Sequence, residues 1–169
     1  DKNVILAKKY GRAIYEIAAE QNSLEKTEEE LHLIADTIKE HADLKELLFH
    51  PLLAKDVKKD TIKKLFADKV QPVVLQFCYV VIDRDRITDF PAMVDVYTTL
   101  AHHGMGIEEA VVTSALPMTK SQVEALKAKL SEITGKKILM TQKVDPAQIG
   151  GFTVQVGDRL IDGSVARQL

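Results

Sequence analysis

The sequence predicts an α+β protein, with a bundle of six mostly short helices followed by a small β-α-β-β domain. Apolar residues recur at helical spacing through residues 1–103, which indicates amphipathic helices. Two glycines within residues 104–106 interrupt this pattern and predict a flexible joint. Strand-like patterns in residues 107–169, with alternating apolar and polar residues near the end, are typical of half-buried strands. The joint therefore separates two predicted domains.

Composition limits the classes of protein to which the chain can belong. With 169 residues, of which 46% are hydrophobic, it is long enough for one or two small domains with a core. The formal net charge of −2 provides no basic field for nucleic acid, and the absence of Trp argues against base stacking. The single cysteine, Cys78, excludes an intrachain disulfide and fits a reducing compartment.

The sequence also bears on membrane contact. No apolar run approaches the ~20 residues that span a bilayer. Near the N-terminus, Lys8, Lys9 and Arg12 are interleaved with apolar residues, which is not the pattern of a signal peptide. We therefore expect any membrane association to go through partner proteins.

The first two helices are predicted over residues 4–22 and from Ser23 onwards, with Ser23 as a capping residue. The apolar stripe of the first helix comprises Ala7, Tyr10, Ile14, Ile17 and Ala18. The inward residues of the second are Leu24, Leu31, Ile34 and Ile38. Its glutamates are expected to form a solvated face, with an acidic binding patch as the alternative: Glu25, Glu28, Glu29 and Glu30.

The third and fourth helices are predicted over residues 44–49 and 56–67. The third ends before His50-Pro51, because the residue before a proline avoids the α region. The inward residues of the fourth are Val57, Ile62, Leu65 and Phe66. Its outward lysines are interpreted as a solubilising face, with a phosphate- or lipid-binding patch as the alternative: Lys55, Lys58, Lys59, Lys63 and Lys64.

The fifth and sixth helices complete the predicted bundle. Pro72 fits the first turn of the fifth helix, which is apolar on nearly every side. Such a helix is either central or has a binding partner. The charged link 83–86 ends it, and the sixth helix follows over residues 87–102. The inward residues of the sixth helix are Ile87, Phe90, Val94, Tyr97 and Ala101.

The second domain begins with a predicted strand over residues 109–115. Thr119 and Gln122 form a capping box that begins a helix running through Ile133, and Gly135 suits the C-terminal end of that helix. A second strand is predicted over residues 138–144.

A hairpin is predicted near the end of the chain. Residues 152–156 alternate like a half-buried strand, Gly157-Asp158 suits a two-residue loop, and residues 159–161 form the returning strand. Gly150-Gly151 precede it, where we expect a sharp turn or a close approach in which a side chain at Gly150 would clash. After the hairpin, Gly163 ends the strand and Ser164 is placed to cap a short final helix.

Motifs for catalysis are missing from the sequence. His102 and His103 are adjacent and on a helix would point ~100° apart, which disfavours chelation of one metal. The chain has no Gly-Lys-Ser/Thr phosphate loop and no Gly-x-Ser-x-Gly elbow. A calcium loop beginning at Asp83 fails because Thr88 and Val94 replace the required Gly and Glu. We therefore predict no catalytic residue, no metal site and no cofactor.

Two stretches carry a family resemblance. Residues 149–165, IGGFTVQVGDRLIDGSV, resemble the C-terminal signature of the delta subunit of bacterial F-type ATP synthases, relatives of the mitochondrial oligomycin-sensitivity-conferring protein. Residues 9–15 resemble the opening helix of that family, although Gly11 stands where the family commonly has Ala. A glycine there is expected to loosen the helix by up to ~1 kcal/mol. The structural positions of the signature are Gly150, Gly151, Gly157, Asp158, Asp162 and Gly163.

This resemblance, which covers essentially the whole chain, implies a non-catalytic stator subunit present in one copy per complex. It implies that residues 1–103 hold the N-terminal helices of the alpha subunits and that residues 107–169 contact the C-terminal helices of the b subunits. It also implies a peripheral location at the cytoplasmic face of the bacterial cell membrane.

The partner-binding residues are predicted on the first and fifth helices. Both helices carry more apolar character than a small bundle can bury, so we hypothesise that they flank a groove for a visiting helix. The predicted residues of this groove are Tyr10, Ala13, Ile14, Gln76, Tyr79 and Val80. Packing of these residues inside the bundle is the alternative, and the resemblance favours the groove.

Two other functions compete with the stator. A generic helical adaptor would bind an unrelated amphipathic helix and show no affinity for alpha-subunit peptides. A small hydrolase would use His102 or His103 together with Asp83 or Asp85 in a deep pocket.

Overall fold

The computed structural model describes residues 2–148 and 150–162 of the chain. Two compact units are distinguished, Asp1–Ala101 and His102–Leu169. Helices make up the described part of the first unit, whereas the second unit contains a four-stranded sheet and one further helix. The predicted α+β class is therefore confirmed.

Six α-helices precede the sheet in the described part of the chain. They are α1 Lys2–Glu20, α2 Leu24–Glu40, α3 Ala42–Phe49, α4 Lys55–Phe66, α5 Pro72–Asp83 and α6 Phe90–Gly104. A 3₁₀ turn, Ile87–Asp89, leads into α6. Pro72 lies in the first turn of α5 as predicted, and α6 continues two residues beyond its predicted end.

The residues of α1 that are buried differ from those of the predicted apolar stripe. Ala7, Gly11, Ile14 and Ala18 are buried, whereas Ile17 is 40% exposed and Tyr10 is half-buried. The reason lies in Gly11, since a Cβ placed there would stand 2.6 Å from Val96 Cγ1 of α6. Because α1 contacts α6 at this glycine, the helix is rotated away from the orientation that Tyr10 and Ile17 would have favoured.

Two predictions about α2 were wrong. Ser23 precedes the helix without a side-chain capping bond, and its hydroxyl instead lies 3.3 Å from Thr27 Oγ1. Glu30, predicted on a solvated face, is buried and accepts hydrogen bonds from Gln71. The inward positions Leu31, Ile34 and Ile38 are confirmed as buried.

The amphipathic pattern of α4 was only partly predicted. Ile62 and Phe66 are buried, but Val57 and Leu65 are substantially exposed. Lys58, predicted on the outer lysine face, is buried. The helix therefore presents a mixed rather than a purely cationic outer surface.

In contrast, α5 and α6 follow their predicted patterns closely. On α5 the buried residues are Val74, Cys78, Val81 and Ile82. All five inward residues predicted for the 3₁₀ turn and α6 are buried: Ile87, Phe90, Val94, Tyr97 and Ala101. The Tyr97 hydroxyl donates a 2.6 Å hydrogen bond to the carbonyl oxygen of Leu24, so this polar group is satisfied within the core.

The second unit contains the strands β1 Ile107–Ser114, β2 Lys137–Val144, β3 Phe152–Val156 and β4 Arg159–Asp162, with helix α7 Lys120–Thr134 between β1 and β2. Their order in the sheet is β2-β1-β3-β4. The β1–β2 pair is parallel, and the β1–β3 and β3–β4 pairs are antiparallel. Helix α7 therefore serves as the crossover that a parallel pair requires.

Helix α7 packs on one face of the sheet and begins at the predicted capping box. Thr119 Oγ1 accepts from the Gln122 backbone N–H at 3.1 Å, and Gln122 Oε1 accepts from the Thr119 N–H at 2.9 Å. Gly135 ends the helix in the left-handed conformation, as predicted. The core of the unit comprises Ala110, Val112, Leu126, Leu130, Ile138, Val154 and Val156.

Candidate interaction surfaces

The predicted partner-binding residues of α1 fall into different environments. Ala13 is exposed and Tyr10 is half-buried, so both are accessible at the surface. Ile14 is only 1% exposed, which places its side chain in the core. Ile14 therefore packs within the core, and its side chain is not accessible to a partner.

Helix α5 has one buried face and one accessible face. Gln76 and Val80 are exposed and lie one turn apart, and Tyr79 beside them is half-buried. Val80 is 45% exposed, whereas Val74, Cys78, Val81 and Ile82 on the other face of the helix are buried. The accessible face of α5 thus combines an apolar residue, an amide and a phenol ring.

A groove between α1 and α6 was not predicted from the sequence. It has a volume of about 510 Å³ and is lined by Lys8, Arg12, Asp95, Val96, Thr99 and Leu100. The two cations lie on one helix at i and i+4, whereas Val96 and Leu100 have the same spacing on the other. The groove depends on which helices are neighbours, and local sequence patterns carry no information about that.

A larger groove in the second unit was also missed. It has a volume of about 690 Å³ and lies between the segment 114–118, residues 122–129 of α7 and residues 150–152. Leu116 at its edge is 77% exposed, and Met118 and Phe152 pack partly against the core. The signal that could have pointed to it is the position of Gly150 and Gly151, which line the groove.

The glycines of the signature are required for a reason other than the predicted one. Gly150 and Gly151 have φ angles of +59° and +67°, and a Cβ at either position would meet no atom within 4 Å. The predicted clash at Gly150 is therefore wrong, since backbone conformation rather than space makes glycine favourable there. Gly157, with φ +57°, turns the hairpin between β3 and β4 as predicted.

The remaining signature residues are placed as follows. Asp158 and Asp162 are exposed, the first in the turn after β3 and the second at the end of β4. Gly163 and the short helix expected after Ser164 lie outside the described residues. The signature therefore contributes to the hairpin and the groove rather than to a cluster of reactive groups.

The polar residues of the hydrolase alternative have other partners. Asp83 and Asp85 form ion pairs with Lys59 and Lys55 at 2.5 and 3.4 Å. His102 Nδ1 lies 2.7 Å from Glu109 Oε1. Each of these three side chains of the hydrolase alternative therefore has a partner within its own unit.

Other features bear on chemistry and on membranes. Burial raises the pKa of the Cys78 thiol to about 12, so it is not a nucleophile at neutral pH. Within residues 2–148 and 150–162, no three His, Cys, Asp or Glu side chains are grouped so that they could hold a metal ion. No helix in that part of the chain has the length and apolar character needed to cross a membrane.

Comparison with known proteins identifies the class. The family described as ATP synthase delta (OSCP) subunit matches residues 6–169. The ATP synthase subunit delta of Alkaliphilus metalliredigens is 36% identical over 165 residues, which cover 98% of this chain and 92% of the relative. That of Brevibacillus brevis is 35% identical over 167 residues, covering 97% and 94%.

A solved structure supports the fold independently. A chain in the Toxoplasma gondii mitochondrial ATP synthase hexamer aligns with a TM-score of 0.68 at 20% identity, covering 96% of this chain and 92% of that one. These similarities define a non-catalytic subunit of the peripheral stalk of F-type ATP synthase, a membrane-associated complex that couples ATP synthesis to proton transport. The chain belongs to the ATP synthase delta (OSCP) subunit family.

Proposed function

We propose that the chain joins the alpha/beta catalytic head of the ATP synthase to its b subunits and so resists the torque of the rotor. One copy per complex would act at the cytoplasmic face of the bacterial cell membrane, held there through partner subunits. Resisting torque requires that the chain dissociates slowly from its partners. A dissociation constant in the nanomolar range corresponds to a binding free energy of ~12 kcal/mol. The observation that carries the proposal is the family membership of the whole chain together with an accessible apolar surface in each unit.

In the first unit, α1 and α5 are proposed to receive an N-terminal helix of an alpha subunit. Ala13 is exposed and small, so a visiting helix can approach α1 closely at this point. Tyr10 and Tyr79 are half-buried and offer an apolar ring with a polar tip. Gln76 and Val80 provide a hydrogen-bonding group and an apolar contact on one face of α5. Ile14, which is buried in the core, is left out of the contact surface.

Replacing Ala13 with Asp tests this surface. The variant places a charge where an apolar helix face would dock, and we expect binding of an alpha N-terminal peptide to be lost, as measured by isothermal titration calorimetry. Ala13 is exposed, so circular dichroism and the melting temperature should change little. Ala128→Asp is the matched control, since Ala128 is an exposed alanine on α7. If Ala13→Asp binds the peptide as tightly as the unmodified chain does, the contact with the alpha subunit must lie elsewhere.

In the second unit, residues 107–169 are proposed to contact the C-terminal helices of the b subunits. The joint over residues 104–106 is proposed to let the two domains move relative to each other and to give the stalk compliance. Gly106, with φ +70°, adopts a conformation that favours glycine, which is compatible with a defined turn at this joint. Domain-resolved NMR relaxation would test it, and a single shared rotational correlation time would contradict independent motion.

A generic helical adaptor is distinguished by its partners. We expect the chain to form a one-to-one complex with catalytic heads that have been stripped of their stalk, measured by analytical ultracentrifugation. Removal of the alpha N-termini from the heads should abolish that complex. An adaptor for an unrelated helix would bind neither preparation.

A further inference from the structure

Two apolar lines of residues run along α1, and the line with the larger side chains faces outward. The inner line is buried and consists of Ala7, Gly11, Ile14 and Ala18. The outer line is half-buried or exposed and consists of Leu6, Tyr10, Ala13 and Ile17. This distribution is the reverse of what burial alone would favour, because larger apolar side chains gain more free energy from leaving water.

Gly11 explains why the smaller side chains lie inward. Its φ is not positive, so the backbone conformation does not require a glycine at this point of α1. The requirement is one of space, since a Cβ would stand 2.6 Å from Val96 Cγ1, 2.7 Å from Val96 Cβ and 2.9 Å from the Met93 carbonyl oxygen. A glycine within a helix costs stability relative to alanine. What it allows here is direct contact between the backbone of α1 and a side chain of α6.

The contact at Gly11 fixes the rotation of α1 about its own axis. Tyr10 lies ~100° from Gly11 around the helix, and Ala13 lies ~160° from it on the same side. Ile17, which is 40% exposed, falls between these two directions. A side chain at position 11 would force α1 to rotate or to move away from α6, and either change displaces the outer line.

The outer line has the spacing with which one helix packs along another. Its residues recur at i, i+4, i+7 and i+11, which places them in a narrow stripe along α1. Contacts of this kind are sensitive to small displacements, because a gap of about 0.5–1 Å already forfeits a quarter to a half of the dispersion attraction between two packed atoms. The position of α1 therefore bears on how tightly a second helix can bind to this stripe.

We propose that Gly11 is a positioning residue for the binding of an alpha-subunit N-terminal helix. Gly11 is buried and touches no partner itself. It acts by holding Tyr10, Ala13 and Ile17 in the place where the visiting helix docks. This inference rests on the proposed function of the first unit, and it adds a residue that lies outside the contact surface.

A matched pair of core substitutions tests the role of Gly11. Using the full chain and an alpha N-terminal peptide, we expect Gly11→Ala to weaken binding by about fivefold or more. Ile62→Val is the control, because Ile62 is buried on α4 and its shortening destabilises the core from another helix. This control should bind the peptide like the unmodified chain. Calorimetry gives the affinities, at a temperature where circular dichroism shows every variant to be folded.

A second substitution distinguishes positioning from a loss of stability. Val96→Gly removes both side-chain atoms that a Cβ at position 11 would meet. The double variant Gly11→Ala, Val96→Gly should regain part of the lost affinity, although it places a destabilising glycine in α6. Val96→Gly alone should bind the peptide like the unmodified chain. If the double variant binds no better than Gly11→Ala, the contact between Gly11 and Val96 does not position the binding surface.

The outcomes separate the role of Gly11 from the proposed function. If the peptide binds the unmodified chain and Gly11→Ala equally well, or if Ile62→Val loses as much affinity as Gly11→Ala, the positioning role is wrong while the alpha contact stands. If the peptide fails to bind the unmodified chain, the proposed alpha contact is itself overturned, and the role of Gly11 with it.

Discussion

Glu30 of α2 holds the beginning of α5 through Gln71. The Gln71 backbone N–H donates to Glu30 Oε1 at 2.8 Å, and the Gln71 side-chain amide donates to the same oxygen at 3.0 Å. The amide also donates to Thr27 Oγ1 at 3.1 Å. Gln71 is the residue immediately before α5, so a buried carboxylate on one helix fixes where another begins.

Removing this carboxylate should destabilise the protein. In Glu30→Ala, the Gln71 N–H and amide lose their acceptor in a part-buried site, which costs about 1–3 kcal/mol. We expect the free energy of unfolding to fall by that amount in urea titrations. Far-UV circular dichroism should remain close to that of the unmodified chain.

Two variants serve as comparisons for Glu30→Ala. Glu29→Ala, at an exposed neighbouring position, should change the free energy of unfolding by less than about 0.5 kcal/mol. Glu30→Gln keeps an acceptor oxygen and should recover part of the loss. Equal stabilities for Glu29→Ala and Glu30→Ala would show that the contact with Gln71 contributes nothing.

Gly11 determines how closely α1 approaches α6. Alanine is the better helix former by about 1 kcal/mol, so propensity alone predicts that Gly11→Ala is stabilising. In the folded chain, however, a Cβ there would lie 2.6 Å from Val96 Cγ1 and 2.9 Å from the Met93 carbonyl oxygen. Because backbone atoms cannot rotate away, the helices must separate, and overpacking of this kind costs about 1–3 kcal/mol. We expect a lower melting temperature.

The reverse substitution on the same helix provides the comparison. Ala13→Gly, at an exposed position, should lower the free energy of unfolding by about 1 kcal/mol through propensity. Propensity thus predicts opposite signs for the two substitutions, whereas contact with α6 makes both destabilising. A higher melting temperature for Gly11→Ala would mean that α1 and α6 are not held together at this point.

Much of the fold could be predicted because it is encoded locally. Apolar spacing identified α6, whose predicted inward residues are all buried, and Thr119 with Gln122 specified the beginning of α7. The hairpin followed from alternation and from Gly157. In each case the residues that determine the structure are near one another in sequence, so a single stretch carries the information.

Three of the failures have the opposite property, because they depend on residues that are distant in sequence. The burial of Glu30 depends on Gln71, which is 41 residues away, and the burial of Gly11 depends on α6. The larger groove of the second unit combines three separate segments, and only Gly150-Gly151 hinted at it. Tertiary contacts of this kind override the local preference of a residue, and a single sequence does not record which segments meet.

Tyr97 should make the protein sensitive to alkaline pH. Burial raises the pKa of its phenol above the ordinary value of 10.0. Above that pH the unfolded chain gains stability by ionising Tyr97, whereas the folded chain keeps the residue neutral. The free energy of unfolding should therefore be unaffected by Tyr97 below about pH 10 and fall above it by up to about 1.4 kcal/mol per pH unit.

Tyr97→Phe isolates this contribution from other groups that titrate at high pH. The variant loses the hydrogen bond to the Leu24 carbonyl, so its stability at neutral pH should be lower. Its free energy of unfolding should nevertheless decline less steeply above about pH 10 than that of the unmodified chain. If the free energies of unfolding from urea titrations fell equally steeply with pH in the two proteins, that result would contradict the raised pKa of Tyr97.

The capping box of α7 should contribute measurably to the stability of the second unit. In Thr119→Ala the Gln122 N–H loses its acceptor at the exposed first turn, and loss of such a cap typically costs about 1 kcal/mol. We expect unfolding of that unit, followed through amide hydrogen exchange in α7 and β1, to become easier by that amount. Thr119→Ser retains the hydroxyl and should restore most of the protection. If alanine and serine gave the same exchange rates, the reciprocal hydrogen bonds of Thr119 and Gln122 would not be what stabilises the helix.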